Sequence, residues 1–200
     1  MPISSAKPPM QVLILMRHAT RAGGLDTLAA EGHKQAESFP ELLRAKLARL
    51  ARFAKQENLA ALAPDSLAQG QDVTWQVSAS PKIRTQQTLR FLNELLRTNF
   101  ETARSEIFEK LDERTSSETQ TEFENRVRAV LDTWHDEIRE NKTSAEIRVA
   151  CSHLDWLEAA AIYLSSDESD SERAAPWPPL ETRIYFLQNG IWNRFRHSKT

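Results

Sequence analysis

Five apolar residues in a row, Val12-Leu13-Ile14-Leu15-Met16, run without alternation into Arg17 and His18. A strand with one wet face alternates apolar and polar side chains. An unbroken run of this length suits a strand covered on both faces, as in a parallel sheet with helices above and below it. In open sheets of that kind, ligands bind beyond the carboxyl ends of the strands. The polar stretch Arg17-His18-Ala19-Thr20-Arg21 therefore lies where a site is expected.

The rest of the chain repeats this pattern. Residues 28 to 62 read as a helix, with Phe39, Leu42, Leu43, Leu47, Leu50 and Phe53 at helical spacing and Pro40 kinking or dividing it. Residues 74 to 77 form a second short strand. Pro81 opens a helix reaching about residue 96, with Arg84 in its first turn and Ile83, Leu92, Leu95 and Leu96 as its apolar positions. Phe123, Val127, Val130, Leu131, Trp134 and Ile138 mark an amphipathic helix. Residues 147 to 150 read as a third strand, ending in Cys151-Ser152-His153, and residues 154 to 164 as the helix behind it. At the end of the chain, residues 182 to 187 and 191 to 195 flank Asn189-Gly190, a type I′ turn pair. Strands alternating with helices and closing on a hairpin predict a three-layer α/β/α sandwich with a mostly parallel central sheet and a C-terminal β-hairpin. One domain is expected over residues 10 to 200, behind a disordered lead-in at 1 to 9, with residues 45 to 70 a helical insertion. The acidic, serine-rich stretch at 165 to 172 reads as a solvated loop, and Trp177, between two prolines, either lines the site entrance or closes a surface loop.

Charge and cysteine content narrow the chemistry. With 26 Lys and Arg against 28 Asp and Glu there is no global basic field, so neither nucleic acid nor an anionic membrane is an expected partner. The apolar run at 12 to 16 is too short for a signal-peptide core or a membrane span. Cys151 is the sole cysteine, which excludes an intramolecular disulfide and a multi-thiolate metal site and suits a cytoplasmic compartment. The thiol itself reads as a buried small apolar group. His33, His135 and His197 lack metal-ligand spacing, so no metal is expected.

Three strand-to-helix junctions each carry a residue type suited to phosphate: Arg17 and His18, then Arg84, then His153. A parallel sheet gathers such junctions along one edge. Paired guanidiniums grip a phosphoryl group bidentately, and they depress a nearby imidazole pKa so that a ring nitrogen keeps its lone pair. A histidine placed there can attack phosphorus.

These segments resemble the histidine phosphatase, or phosphoglycerate mutase-like, superfamily. Leu15-Met16-Arg17-His18-Ala19 resembles its Arg-His-Gly signature, and Leu28-Ala29-Ala30-Glu31-Gly32-His33-Lys34-Gln35-Ala36 is similar to the opening of its first helix. Ser78-Ala79-Ser80-Pro81-Lys82-Ile83-Arg84-Thr85-Gln86-Gln87-Thr88-Leu89 and Val149-Ala150-Cys151-Ser152-His153-Leu154 resemble its later motifs, in the same order. Alanine after the first histidine and leucine after the second also occur in short bacterial phosphohistidine phosphatases. The resemblance implies a phosphohistidine on His18, phosphate held by Arg17, Arg84, His18 and His153, and no cofactor. It also implies a carboxylate acid, placed here at Glu113 on the similarity of Leu111-Asp112-Glu113-Arg114 to the mutase-type segment, with Asp112 and Glu109 as the other candidates. Thr20 and Arg21 are candidate substrate-binding residues. The implied reaction is hydrolysis of a phosphomonoester or phosphoramidate, on a small molecule or a phosphoprotein. A phosphoglycerate-type phosphomutase and a non-catalytic module that keeps the phosphate pocket are the alternatives. The sequence leaves the oligomeric state open.

Overall fold

The first strand, β1 (Gln11–Arg17), is buried on both faces, as its composition requires. In the computed structural model, which describes residues 9–57, 59, 73–100, 103–140, 144–164 and 175–196, it lies inside a six-stranded sheet. The strands stand in the order β3-β2-β4-β1-β5-β6, with β2 (Val73–Ala79), β3 (Arg104–Ile107), β4 (Ala145–Ser152), β5 (Thr182–Gln188) and β6 (Ile191–Phe195). β1, β2, β3 and β4 run parallel, and β5 and β6 add an antiparallel hairpin. Asn189 and Gly190, at φ 53° and 76°, both take the left-handed conformation that a type I′ turn demands.

Alternation along β1 divides the core. Val12, Ile14 and Met16 join one cluster with α1 (Ala30–Gln56) and α2 (Ile83–Asn99), whereas Leu13 and Leu15 join another with α3 (Gln120–Glu140) and α4 (Leu154–Leu164). Two helices therefore cover each face, the expected three-layer arrangement. No described helix is long and apolar enough to cross a membrane.

Several expectations need correction. Pro40 does not divide α1, which continues from Ala30 to Gln56 with Pro40 itself buried. The amide hydrogen bond that proline forfeits is offset by the apolar stripe Phe39, Leu43, Leu47 and Leu50, seated on the sheet on both sides of it. Leu42 and Ile83, read as apolar-face positions, are 39% and 49% exposed. The described part of residues 45 to 70 ends α1 and packs on the hairpin, where the Phe53 ring meets those of Phe186 and Phe195 at 5.8 and 5.5 Å. Residues 1–8, most of the stretch beyond 57 and the acidic segment at 165 to 172 lie outside the described residues.

β3 has no counterpart in the sequence reading. Arg104-Ser105-Glu106-Ile107 is exposed throughout and carries no apolar alternation. It is a strand because β2 offers it a parallel ladder, from Gln76↔Arg104 to Ala79↔Ile107, and Phe108 N–H extends the pairing to the Ala79 carbonyl at 2.8 Å. This edge strand positions the site, since the chain turns directly from it through a short 3₁₀ segment, Glu109–Leu111, to Asp112 and Glu113.

One backbone approach beside the site depends on glycine. A Cβ at Gly32, in the first turn of α1, would stand 2.0 Å from the Thr20 carbonyl oxygen and 3.0 Å from its carbon. Gly32→Ala must push α1 away from the loop that follows His18, an overpacking that costs about 1–3 kcal/mol. A melting temperature lower by several degrees is expected for this domain size, and an unchanged melt would show that the loop yields without cost.

Candidate active site

β2, β4 and β1 are neighbours in register, with Ala79 opposite Cys151 and Arg17 opposite Ser152, so their carboxyl ends open side by side. Hydrogen bonds continue the ladder one step further: His18 N–H donates to the Ser152 carbonyl and Ser80 N–H to the Cys151 carbonyl, each at 3.2 Å. His18, Ser80 and His153 thus leave the sheet at the same level, and the His18 and His153 rings lie 5.4 Å apart between centroids.

The loop after His18 is tied down by polar groups from α1 and α2. Ala19 N–H donates to Thr88 Oγ1 at 3.0 Å, the amide and hydroxyl of Thr20 both donate to Gln35 Oε1, and Leu28 N–H donates to Gln87 Oε1 at 2.9 Å. Gln35, Gln87 and Thr88, all within matched motifs, therefore work as scaffolding. Thr20, expected to touch substrate, spends its polar groups on Gln35, whereas Arg21 is exposed.

The hydrogen bonds assign the protons on the two imidazoles. His18 Nδ1 lies 2.8 Å from the Ala19 carbonyl, an acceptor, so Nδ1 carries the hydrogen and Nε2 keeps its lone pair. His153 Nδ1 lies 3.0 Å from an Arg84 Nη2 that can only donate; its Nε2 then carries the hydrogen and donates to Ser80 Oγ at 2.7 Å. Burial pushes the His18 pKa down to about 4 against the upward pull of the Ala19 carbonyl, with the positive charges of Arg84 and Arg17 adding smaller downward contributions. Burial and the Arg84 charge push His153 lower still. Both rings are neutral at pH 7. An NMR titration is expected to place the His18 midpoint near pH 4 rather than near the ordinary 6.5. Because the folded state resists these protons and the unfolded chain accepts them, stability from this source is complete above pH 6.5 and falls as the pH drops toward 4. A His18 midpoint near 6.5 would contradict the buried, cation-flanked ring.

Arg84 is the hub. Its side chain is 5% exposed; Nη1 donates to Asp26 Oδ1 at 2.6 Å, and Nη2 faces Glu113 Oε2 at 3.1 Å as well as His153. Its Nε is buried without a partner among the described residues, as is the Nε of Arg17. Two buried guanidinium N–H groups with unfilled hydrogen-bonding capacity beside neutral imidazoles are suited to an incoming anion. Arg17 Nη1 is held by the Trp177 carbonyl at 2.5 Å, and desolvation lowers the Arg17 pKa. Trp177 is 1% exposed and lies beneath the Arg183 guanidinium at 3.8 Å, so it neither lines an entrance nor caps a surface loop; it closes the core and orients Arg17.

On the rim, Glu113 is 43% exposed and Asp112 23% exposed, with Lys82 Nζ 3.7 Å from Glu113 Oε1 and 3.4 Å from Asp112 Oδ2. Asp112 Oδ1 also approaches His153 Nε2 at 3.4 Å. Glu109 lies further out, in a cleft of about 500 Å³ that it lines with Asp112, Glu113, Glu118, Glu122 and Arg126. Cys151 is fully buried, and desolvation pushes its thiol pKa up. Among the described residues, no group of three or more His, Cys, Asp or Glu is arranged to hold a metal ion.

The structure thus brings His18, Arg17, Arg84, His153 and Glu113 to one place. Sequence reasoning missed Asp26, Lys82 and Ser80, and it singled out Trp177 without its role of holding Arg17. Lys82 and Ser80 sit inside a recognised motif and could have been picked out there, whereas Asp26 reaches the site through a loop that no local pattern marks.

No protein-family model matches the sequence, and no curated protein matches it. Solved structures do match its fold. Mycobacterial hydrolase 1 superposes with a TM-score of 0.61 at 12% identity, covering 94% of this chain and 97% of that one. Phosphoglycerate mutase from Bacillus anthracis gives 0.59 at 13%, covering 95% and 93%. A mycobacterial glucosyl-3-phosphoglycerate phosphatase, in complex with VO3, gives 0.58 at 13%, covering 94% and 99%. The chain has the phosphoglycerate mutase-like fold.

Proposed function

We propose that this chain is a histidine phosphatase that hydrolyses a phosphomonoester or phosphoramidate through a phosphohistidine on His18. The observation that carries this reading is the neutral His18 ring, with its Nε2 lone pair kept by the Nδ1–H···O=C bond to Ala19, beside His153, the buried Arg84 and the half-buried Arg17, each of which has a buried Nε–H. The neighbours in fold bear the names of a hydrolase, a mutase and a phosphatase, all compatible with phosphoryl transfer.

His18 Nε2 attacks phosphorus; the N–P bond forms as the bond to the leaving oxygen or nitrogen breaks, and Glu113, having left Arg84 and taken a proton from solvent or substrate, supplies the proton that atom needs. Water then attacks phosphorus, the N–P bond breaks, Glu113 takes the water's proton, and inorganic phosphate departs. Arg17 and Arg84 offer their buried N–H groups to the phosphoryl oxygens. The His153 Nε2–H, now on Ser80, turns to a phosphoryl oxygen. Hydrolysis is favoured over mutase chemistry by the rim. A mutase must hold the carboxylate of a phosphoglycerate while phosphate is exchanged, and the cleft beside Glu113 is lined by five carboxylates against Arg126, already engaged by Glu118 at 2.8 Å. Incubation with a phosphoglycerate decides: free phosphate supports the phosphatase, isomerised product the mutase. A single buried cysteine is in keeping with a cytoplasmic protein.

The acid assignment has its own test. Glu113→Gln should lower kcat/KM for alkyl phosphates, whose leaving oxygen needs a proton, by about 10²–10⁴-fold. A nitrophenyl phosphate, which leaves as a stable anion, should be affected far less. Equal small effects on both substrates would move the role to Asp112.

A further inference from the structure

We infer that Asp26 is a positioning residue that fixes the Arg84 guanidinium so that its Nε and Nη2 donors face the phosphoryl group. The inference rests on the phosphatase reading above. In a guanidinium, Nε–H and one Nη2–H point the same way along one edge of the planar group and form the fork that grips two oxygens of a tetrahedral anion. Asp26 takes the opposite donor, Nη1, at 2.6 Å. The Nε of the fork is buried without a partner among the described residues, and its Nη2 is shared by Glu113 and His153.

The Asp26 carboxylate cannot drift with the arginine, because its other oxygen accepts the Ile83 N–H at 3.0 Å. Ile83 is the first residue of α2, the helix that carries Arg84, so one carboxylate ties the guanidinium to the backbone of its own helix. The loop behind Asp26 is closed on itself by Ala22 N–H to the Thr27 carbonyl at 2.9 Å and by an antiparallel bridge between Arg21 and Leu28, with Gly24 turning at φ 71°. The bond from Leu28 N–H to Gln87 gives the loop a second tie to α2. Burial pushes the Asp26 carboxyl up, but the Ile83 amide and the Arg84 charge outweigh it and hold the group below the usual carboxylate range, so it stays ionised at neutral pH. Among the described residues Glu113 accepts no backbone amide of α2, its second contact being the half-buried Lys82 Nζ at 3.7 Å, and it is the carboxylate that yields Arg84 Nη2 to an incoming phosphoryl group.

Two opposed effects make this testable. Removing a negative charge beside an anion site strengthens anion binding if charge alone matters, whereas freeing the guanidinium weakens binding if alignment matters. Asp26→Asn keeps an oxygen for the Ile83 amide and loses the ion pair, and Asp26→Ser is a second, smaller replacement should the first fold poorly by thermal melt. The probes are orthovanadate and 4-nitrophenyl phosphate. Expected is a roughly tenfold loss in vanadate affinity and in kcat/KM, the scale of one charge-assisted hydrogen bond. With Arg84→Ala already in place, Asp26→Asn should bring little further loss, since it acts through Arg84. Tighter or unchanged vanadate binding in Asp26→Asn, or losses that add fully in the double variant, would overturn the positioning role while leaving the phosphatase reading intact. A wild-type chain that neither turns over phosphate esters nor binds vanadate would overturn both.

Discussion

His18→Ala abolishes turnover of an aryl phosphate, and a chain quenched during turnover carries acid-labile phosphate only when His18 is present. Both results follow from the position of one lone pair. The His18 Nε2 is the unprotonated ring nitrogen, whereas both nitrogens of His153 are engaged, by Arg84 and by Ser80. Cys151 cannot substitute as nucleophile, being fully buried with its thiol pKa pushed up. Among the described residues no other imidazole in the pocket presents an unengaged ring nitrogen, so the loss is expected to reach the background rate rather than a partial level. Hydrolysis at the wild-type rate in His18→Ala, or phosphate retained on the chain in a form stable to acid, would end the phosphohistidine account. Tight vanadate binding by the wild type without turnover of any phosphate ester would instead favour the non-catalytic module.

The second large effect belongs to Arg84. Arg84→Ala should reduce kcat by about 10²–10³-fold, the magnitude associated with removing one preorganised donor from a developing anion. Here a single residue also keeps the His153 Nδ1 a proton acceptor and occupies two carboxylates. Arg84→Lys should recover little, because an ammonium is a point donor that cannot serve Asp26, His153 and a phosphoryl fork in one plane. The variant is expected to fold, since Asp26 and Glu113 are 39% and 43% exposed and water can solvate both once the guanidinium is gone. If Arg84→Ala kept most of its activity, phosphate would have to be held elsewhere than between α2 and the carboxyl end of β4.

The elements that could be read locally were those whose environment is uniform along the chain. β1 and β4 are covered on both faces, and β1 displays this as an unbroken apolar run; α3 buries one stripe and shows it at helical spacing. The hairpin turn announces itself because only residues tolerant of positive φ suit it. β3 was illegible for the opposite reason, being an exposed edge strand that owes its conformation to a ladder supplied by β2. Pro40 does not divide the helix because a local rule about lost hydrogen bonds is outweighed by contacts 3 to 10 residues away along the same face.

The sequence by itself determined the layer order, the parallel strands and the presence of Arg17, His18, Arg84 and His153 at their junctions, because apolar periodicity and strand-end position are properties of the chain alone. Only the tertiary structure decided which nitrogen of His153 carries hydrogen, which carboxylate reaches Arg84 and where Trp177 lies. Those outcomes depend on hydrogen-bond partners 58 to 160 residues apart in the chain, and a hydrogen bond is fixed by distance and direction in space, which no local pattern encodes.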